Sequence, residues 1–139
     1  MESKEKKNLV FIRLFPNEDI NEQLRAVCKK HDIKTAVVLS AIGQLKTAKL
    51  GYFKEKDDYS PETYNKSLEI LSLTGNICKH DEHILHLHAV LGDENKNTYG
   101  GHFIEGQISI TAEIALLKTN IDANRRLNKE TGLQDLKLE

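Results

Sequence analysis

Three histidines offer the most definite chemistry in this sequence. His86 and His88 lie in the run Ile84-Leu85-His86-Leu87-His88-Ala89-Val90-Leu91, and His102 follows Gly100-Gly101. In an extended strand successive side chains alternate faces, so residues two apart share a face at a Cα spacing of about 7 Å, within reach of one metal ion. The opposite parity, Leu85, Leu87, Ala89 and Leu91, is apolar and reads as a core face, which leaves His86 and His88 together on the other side. A second strand or turn opening at Gly101-His102 can supply a third imidazole. Three neutral imidazoles are a zinc set with one coordination position open, an arrangement that also serves catalysis. The residues alone leave a plainer reading open, in which half-buried strand histidines are only hydrogen-bonded to their neighbours.

The remaining histidines call for less. His80 and His83, in the polar turn Lys79-His80-Asp81-Glu82-His83, read as solvated, with His83 sharing the parity of Leu85 and capping the entry to the strand. His31 ends a helical segment, where the helix dipole favours a cation.

A chain of 139 residues is long enough to bury one core without staples. Its 20 Lys and Arg nearly balance its 21 Asp and Glu, giving a net charge of -1 and no global attraction for nucleic acid or an anionic membrane. The basic pairs Lys6-Lys7, Lys29-Lys30 and Arg125-Arg126 read as solvated patches without aromatic residues between them to stack bases, so the isolated domain is not expected to bind DNA. Cys28 and Cys78 lack Cys-x-x-Cys spacing and read as small buried hydrophobes in a reducing compartment. The charged start, Met1 to Asn8, is followed by only a short apolar run, which argues against a signal peptide or membrane span and for a cytoplasmic protein.

The elements that must position the histidines follow from periodicity. Leu9–Leu14 reads as a strand ended by Pro16-Asn17. Ile20, Leu24, Val27 and Cys28 then recur at helical spacing behind the acidic Glu18 and Asp19. Residues 35–42 read as a strand stopping in a turn at Gly43, with a return strand over 47–53. Residues 54–66 read as a surface loop or short edge piece. Residues 68–78 form a long strand with Gly75 as a bulge, joined by a hairpin to the histidine strand. After a turn at 93–97, Tyr99–Ile104 leads through Gly106 into 108–117, where Ile108, Ile110, Ala112, Ile114 and Leu116 share one face. The expected fold class is α+β: a single compact domain with a central, largely antiparallel β-sheet packed by one main helix. A glycine-rich phosphate loop, a Gly-x-Ser-x-Gly elbow and a Cys-x-x-Cys pair are all missing, which removes those enzyme classes.

Glu69-Ile70-Leu71-Ser72-Leu73-Thr74-Gly75-Asn76-Ile77, His86-Leu87-His88, Gly100-Gly101-His102 and Thr111-Ala112-Glu113 occur in the order seen in the plant and prokaryote conserved (PPC, DUF296) domain, and the chain resembles a stand-alone prokaryotic member. The same domain follows the AT-hooks of plant nuclear proteins, but this chain carries no Arg-Gly-Arg-Pro hook. The resemblance covers residues 8–118, with a charged N-terminal tail over 1–7 and a polar C-terminal extension over 119–139. It implies a compact fold with a mainly antiparallel sheet, a homotrimer, and a zinc site at His86, His88 and His102.

Two functional readings follow. In the first, the chain is a small cytoplasmic zinc-binding homotrimer whose open coordination position binds a small molecule or assists hydrolysis. Glu69 and Glu113 are the nearest sequence candidates for a base, although Glu113 reads first as a surface or interface carboxylate, and no catalytic residue is assigned. In the second, the chain is an assembly module that presents a surface to protein or DNA, with the metal structural or incidental; Ala115 and Leu117, off the core parity, would then lie in the interface.

Overall fold

Val10, Ile12 and Leu14 are buried while Phe11 and Arg13 face outward, the two-residue period that makes Leu9–Leu14 (β2) a strand with one core face. The computed structural model describes residues 1–79 and 81–138, so His80 lies outside the described residues. Ahead of β2, Glu2–Lys6 (β1) pairs with it as an antiparallel edge strand, so the charged segment read as a tail is part of the sheet. Ile20–Lys30 (α1) buries Ile20, Leu24, Val27 and Cys28, one stripe at helical spacing. Asp19 caps it by accepting from the Glu22 amide at 3.0 Å. His31 closes it, its own amide donating to the Val27 carbonyl.

The remaining strands are Thr35–Gly51 (β3), Glu62–Tyr64 (β4), Leu68–Lys79 (β5), His83–Gly92 (β6), Thr98–Thr119 (β7), Ala123–Leu127 (β8) and Gln134–Leu138 (β9). The main sheet runs β1-β2-β7-β6-β5-β3-β4 and every pairing is antiparallel. Because β7 also pairs with β3 along most of its length, β3, β5, β6 and β7 close on themselves. The C-terminal extension folds as a separate β8–β9 hairpin.

The result is a single compact domain with an antiparallel sheet and one helix, but strands dominate so heavily that α+β describes it only loosely. Three local expectations are corrected. The turn at Gly43 is absent: β3 continues through it, bent by register shifts against β7 instead of reversing. Gly75 is not the bulge of β5, whose register with β6 slips between Ile70 and Ser72. Ile110 does not share the core face of its run, being 64% exposed. Where β3 advances from Gly43 to Leu45, β7 runs from Ala112 back to Ile108, and the surplus residues of β7 leave the ladder and turn Ile110 outward. Ala115, beside a separate register shift between Val38 and Ser40, is buried although its parity pointed outward, while Leu117 is partly exposed as expected.

Candidate metal centre

His86 and His88 stand on β6 and His102 on β7, and the pairing of the two strands sets His88 directly opposite His102. Cross-strand partners point to the same side, and His86 lies two residues from His88, so all three imidazoles project from one face. Leu87 and Ala89 are buried on the other. The ring centroids form a nearly equilateral triangle of 5.3, 5.5 and 5.4 Å. The Nε2 atoms of His86 and His88 lie 3.3 Å apart, and one nitrogen from each of the three residues falls within 4.8 Å of the others.

Two glycines permit this placement. A Cβ on Gly75, which has φ +146°, would lie 2.0 Å from the His86 carbonyl oxygen, so only glycine lets β5 pass the backbone of the first histidine. A Cβ on Gly101 would lie 2.6 Å from the Gly51 carbonyl, so the residue before His102 must be bare for β3 and β7 to meet there.

The surroundings favour the neutral form of His86 and His102. Burial, reinforced by the neighbouring His86 and His88, lowers the pKa of His102 to about 4. Burial, the Arg125 guanidinium and His88 lower that of His86. Neutral imidazole is the form that binds a metal. The buried Nδ1 of His102 has no hydrogen-bond partner, and the Tyr59 ring packs 5.1 Å from its imidazole. Three converging imidazoles, with a buried ring nitrogen of His102 left without a hydrogen-bond partner, fit a first-row divalent ion.

Beside the histidines lies a cavity of about 660 Å³, lined among others by Tyr59, Asn76, Ile84, His86, His102 and Arg125. Its far wall is the β8–β9 hairpin. Sequence reasoning missed this cavity and two of its polar residues. Asn76 was findable, because hairpin pairing sets it opposite His86. Arg125 is only 6% exposed, so reading Arg125-Arg126 as a solvated patch is wrong for its first member.

Other expectations fall away from the site. His83 is not solvated: it is buried, and its Nε2 lies 2.7 Å from the Ile33 carbonyl oxygen. The core parity it shares with Leu87 outweighs the polar turn before it. Glu69 and Glu113 line no part of the cavity; both are exposed, and Glu113 stands opposite Arg13 and Ile42 in the sheet. Cys28 and Cys78 are free and buried as expected, burial pushing the Cys28 thiol up to about 12. His31 lies 2.9 Å from Ser3 Oγ and 3.0 Å from Glu5 Oε2. Lys30 Nζ lies 3.0 Å from the same Oγ, and these contacts fasten β1 to the end of α1.

Comparison with known proteins gives a consistent picture. Residues 1–120 match the Plants and Prokaryotes Conserved (PCC) domain. The crystal structure of a Bacteroides thetaiotaomicron protein proposed to bind DNA superposes with a TM-score of 0.91 at 25% identity, covering 98% of this chain and 96% of that one. A metal-containing protein from Archaeoglobus fulgidus gives a TM-score of 0.83 at 28% identity, with the same coverages of 98% and 96%. The bifunctional protein GlmU of Synechococcus is 32% identical over 130 residues, which are 92% of this chain. Those residues are 20% of that protein, so the chain spans about a fifth of the length of the curated relatives it matches.

Proposed function

Proceeding from a chain that belongs to the Plants and Prokaryotes Conserved (PCC) domain family, we propose that His86, His88 and His102 hold one zinc ion whose remaining coordination position serves a small ligand. The observation that carries this reading is the convergence of three imidazoles from two paired strands within 4.8 Å. The metal content of the Archaeoglobus relative supports it. Zinc suits the set because it takes imidazole readily and binds three protein ligands where a fourth site is kept for water or substrate. Bound there, it would polarise a carbonyl or phosphoryl oxygen or lower the pKa of water toward about 7. The protein's own part is to orient the three imidazoles, and to favour the neutral form of His86 and His102, beside a partly apolar cavity.

The protein acts as a cytoplasmic homotrimer in this reading. Phe11, Leu39, Ile42, Leu71 and Ile110 are all at least half exposed. Ile42, Leu71 and Ile110 border one shallow depression, an apolar surface of the kind that subunit contacts cover. Among the described residues no helix is long and apolar enough to cross a membrane. The experiment is zinc titration by calorimetry of untagged protein, with one site per chain expected and none in His86→Ala or His102→Ala.

The DNA binding proposed for the Bacteroides relative suggests a second reading, an assembly module that contacts nucleic acid. A net charge of -1 weighs against it, since counterion release needs clustered phosphate contacts. A salt-dependent shift of duplex DNA at sub-micromolar protein would favour it over the first.

A further inference from the structure

Among the described residues Arg125 is the one Lys or Arg that lines the cavity, and although its charge favours neutral His86, it is not one of the converging metal-site residues. It rises from β8, beyond the residues matched to the family domain, and reaches back across the cavity to β5. Its Nη2 donates to Asn76 Oδ1 at 2.6 Å and its Nη1 to the Gln134 carbonyl at 2.7 Å. Both acceptors are neutral, and the enclosed Nε has no partner. The titratable groups that its charge perturbs are His86 and the thiol of Cys78, neither of them an anion. Asp135 also lines the cavity, but its carboxylate is engaged with Asn128 Nδ2 at 3.2 Å and Lys137 Nζ at 3.8 Å.

Among the described residues no carboxylate bonds to Arg125, although Asp81 and Glu82 border a neighbouring depression with it; burying a cation is costly, and a strut between two strands does not require a charge, because a neutral donor can serve a carbonyl or an amide oxygen. A guanidinium has five N–H donors arranged to grip a carboxylate in plane. Ile84, Leu85, Ile104, Leu133 and Leu136 give the wall a large apolar part. The volume is that of an ordinary small-molecule site. A single cation with an acid nearby suits one negative charge better than two.

We propose that this cavity binds a small organic carboxylate with an apolar body, its carboxylate gripped by Arg125 and its other end reaching the His86 and His102 side of the metal centre. The proposal rests on the metal reading above and gives that site a substrate class. The β8–β9 hairpin thereby becomes a specificity element of the pocket, and Arg125 a substrate-binding residue.

Calorimetric titration of the zinc-loaded full chain with α-ketoisocaproate is the test, with isobutyl methyl ketone as the uncharged analogue and inorganic phosphate as the alternative anion. The oxoacid is expected to bind saturably. The ketone and phosphate are each expected to bind at least about tenfold more weakly, the weight of one hydrogen bond to a charged group. Arg125→Met should weaken the oxoacid by a similar factor while keeping one zinc per chain. Arg125→Lys, which keeps the charge and loses the planar fork, should fall between, and it carries the test if the methionine variant does not fold. No binding to the wild-type chain, equal binding of ketone or phosphate, or undiminished binding in the variants overturns the proposal. Zinc content read in the same samples separates the two claims. Protein that takes up no zinc on titration yet binds the oxoacid through Arg125 removes the metal reading and keeps the subsite. Zinc-loaded protein that ignores the oxoacid removes the subsite alone.

Discussion

Leu87 and His88 are neighbours in the chain and occupy opposite environments: Leu87 is 1% exposed in the core, and His88 is exposed on the outer face of the same strand. The core side is closed by α1 through Ile20, Leu24, Val27 and Cys28. The outer side carries the three imidazoles and several exposed apolar side chains, with the β8–β9 hairpin reaching β5 through Arg125. One set of strands thus carries the packed core on one side and the candidate metal site on the other. The physical reason is the pleat, which lets each strand answer to two selective demands without sharing residues between them.

That separation can be broken by mutation. Leu24→Ala, at a fully buried position, should lower the unfolding free energy by about 2–5 kcal/mol in denaturant titration and leave zinc binding by the folded protein intact. His88→Ala should do the reverse. Zinc affinity is expected to fall at least about 100-fold, more than the loss of a supporting partner costs. The stability of the metal-free protein should stay within about 0.5 kcal/mol, as for other exposed sites. A metal-free His88→Ala protein as unstable as Leu24→Ala would show that the two sides are one energetic unit.

The same division explains what was legible in the sequence. A face packed against a helix must be apolar at every second residue, so β2, α1 and the leucine parity of β6 could be read directly, and with them the shared face of His86 and His88. Nothing in spacing fixes which residue of β7 stands opposite His88; His102 was a candidate from its place behind Gly100-Gly101 and was mapped to the site by the family resemblance, and register supplied the geometry. Glycines misled for a related reason. Gly43 and Gly75 look like a turn and a bulge, but a bare residue is equally what two crossing strands need where they touch. His83 and Arg125 were misjudged because burial by a distant segment leaves no mark on local composition.

A smaller effect sharpens the contrast through pH. His102 titrates near 4 in the folded chain, below the ordinary histidine value of 6.5. The unfolded chain therefore takes up its proton first, and metal-free protein should lose stability as pH falls from 6.5 toward 4. His86 is shifted in the same direction and adds to the slope. Melting temperatures of chelator-treated protein across that range should fall with acidification, and His102→Gln should flatten the decline. A profile unchanged by His102→Gln would mean that the outer face carries no such linkage.

The smallest effect on folding is expected at Ile110. Its exposed side chain can be replaced by serine with a change of stability within about 0.5 kcal/mol. Light scattering should nevertheless show weaker assembly if, as proposed, a trimer covers this surface. A wild-type mass equal to one 15.8 kDa chain would remove the trimer.

The central claim, a zinc ion held by three outer-face histidines, is tested most directly by elemental mass spectrometry of protein purified without a histidine tag, alongside His88→Ala. One zinc per chain in the wild type and none in the variant is the predicted result. A wild-type protein that contains no zinc and takes none up on titration, or a variant that keeps its full complement, would contradict it.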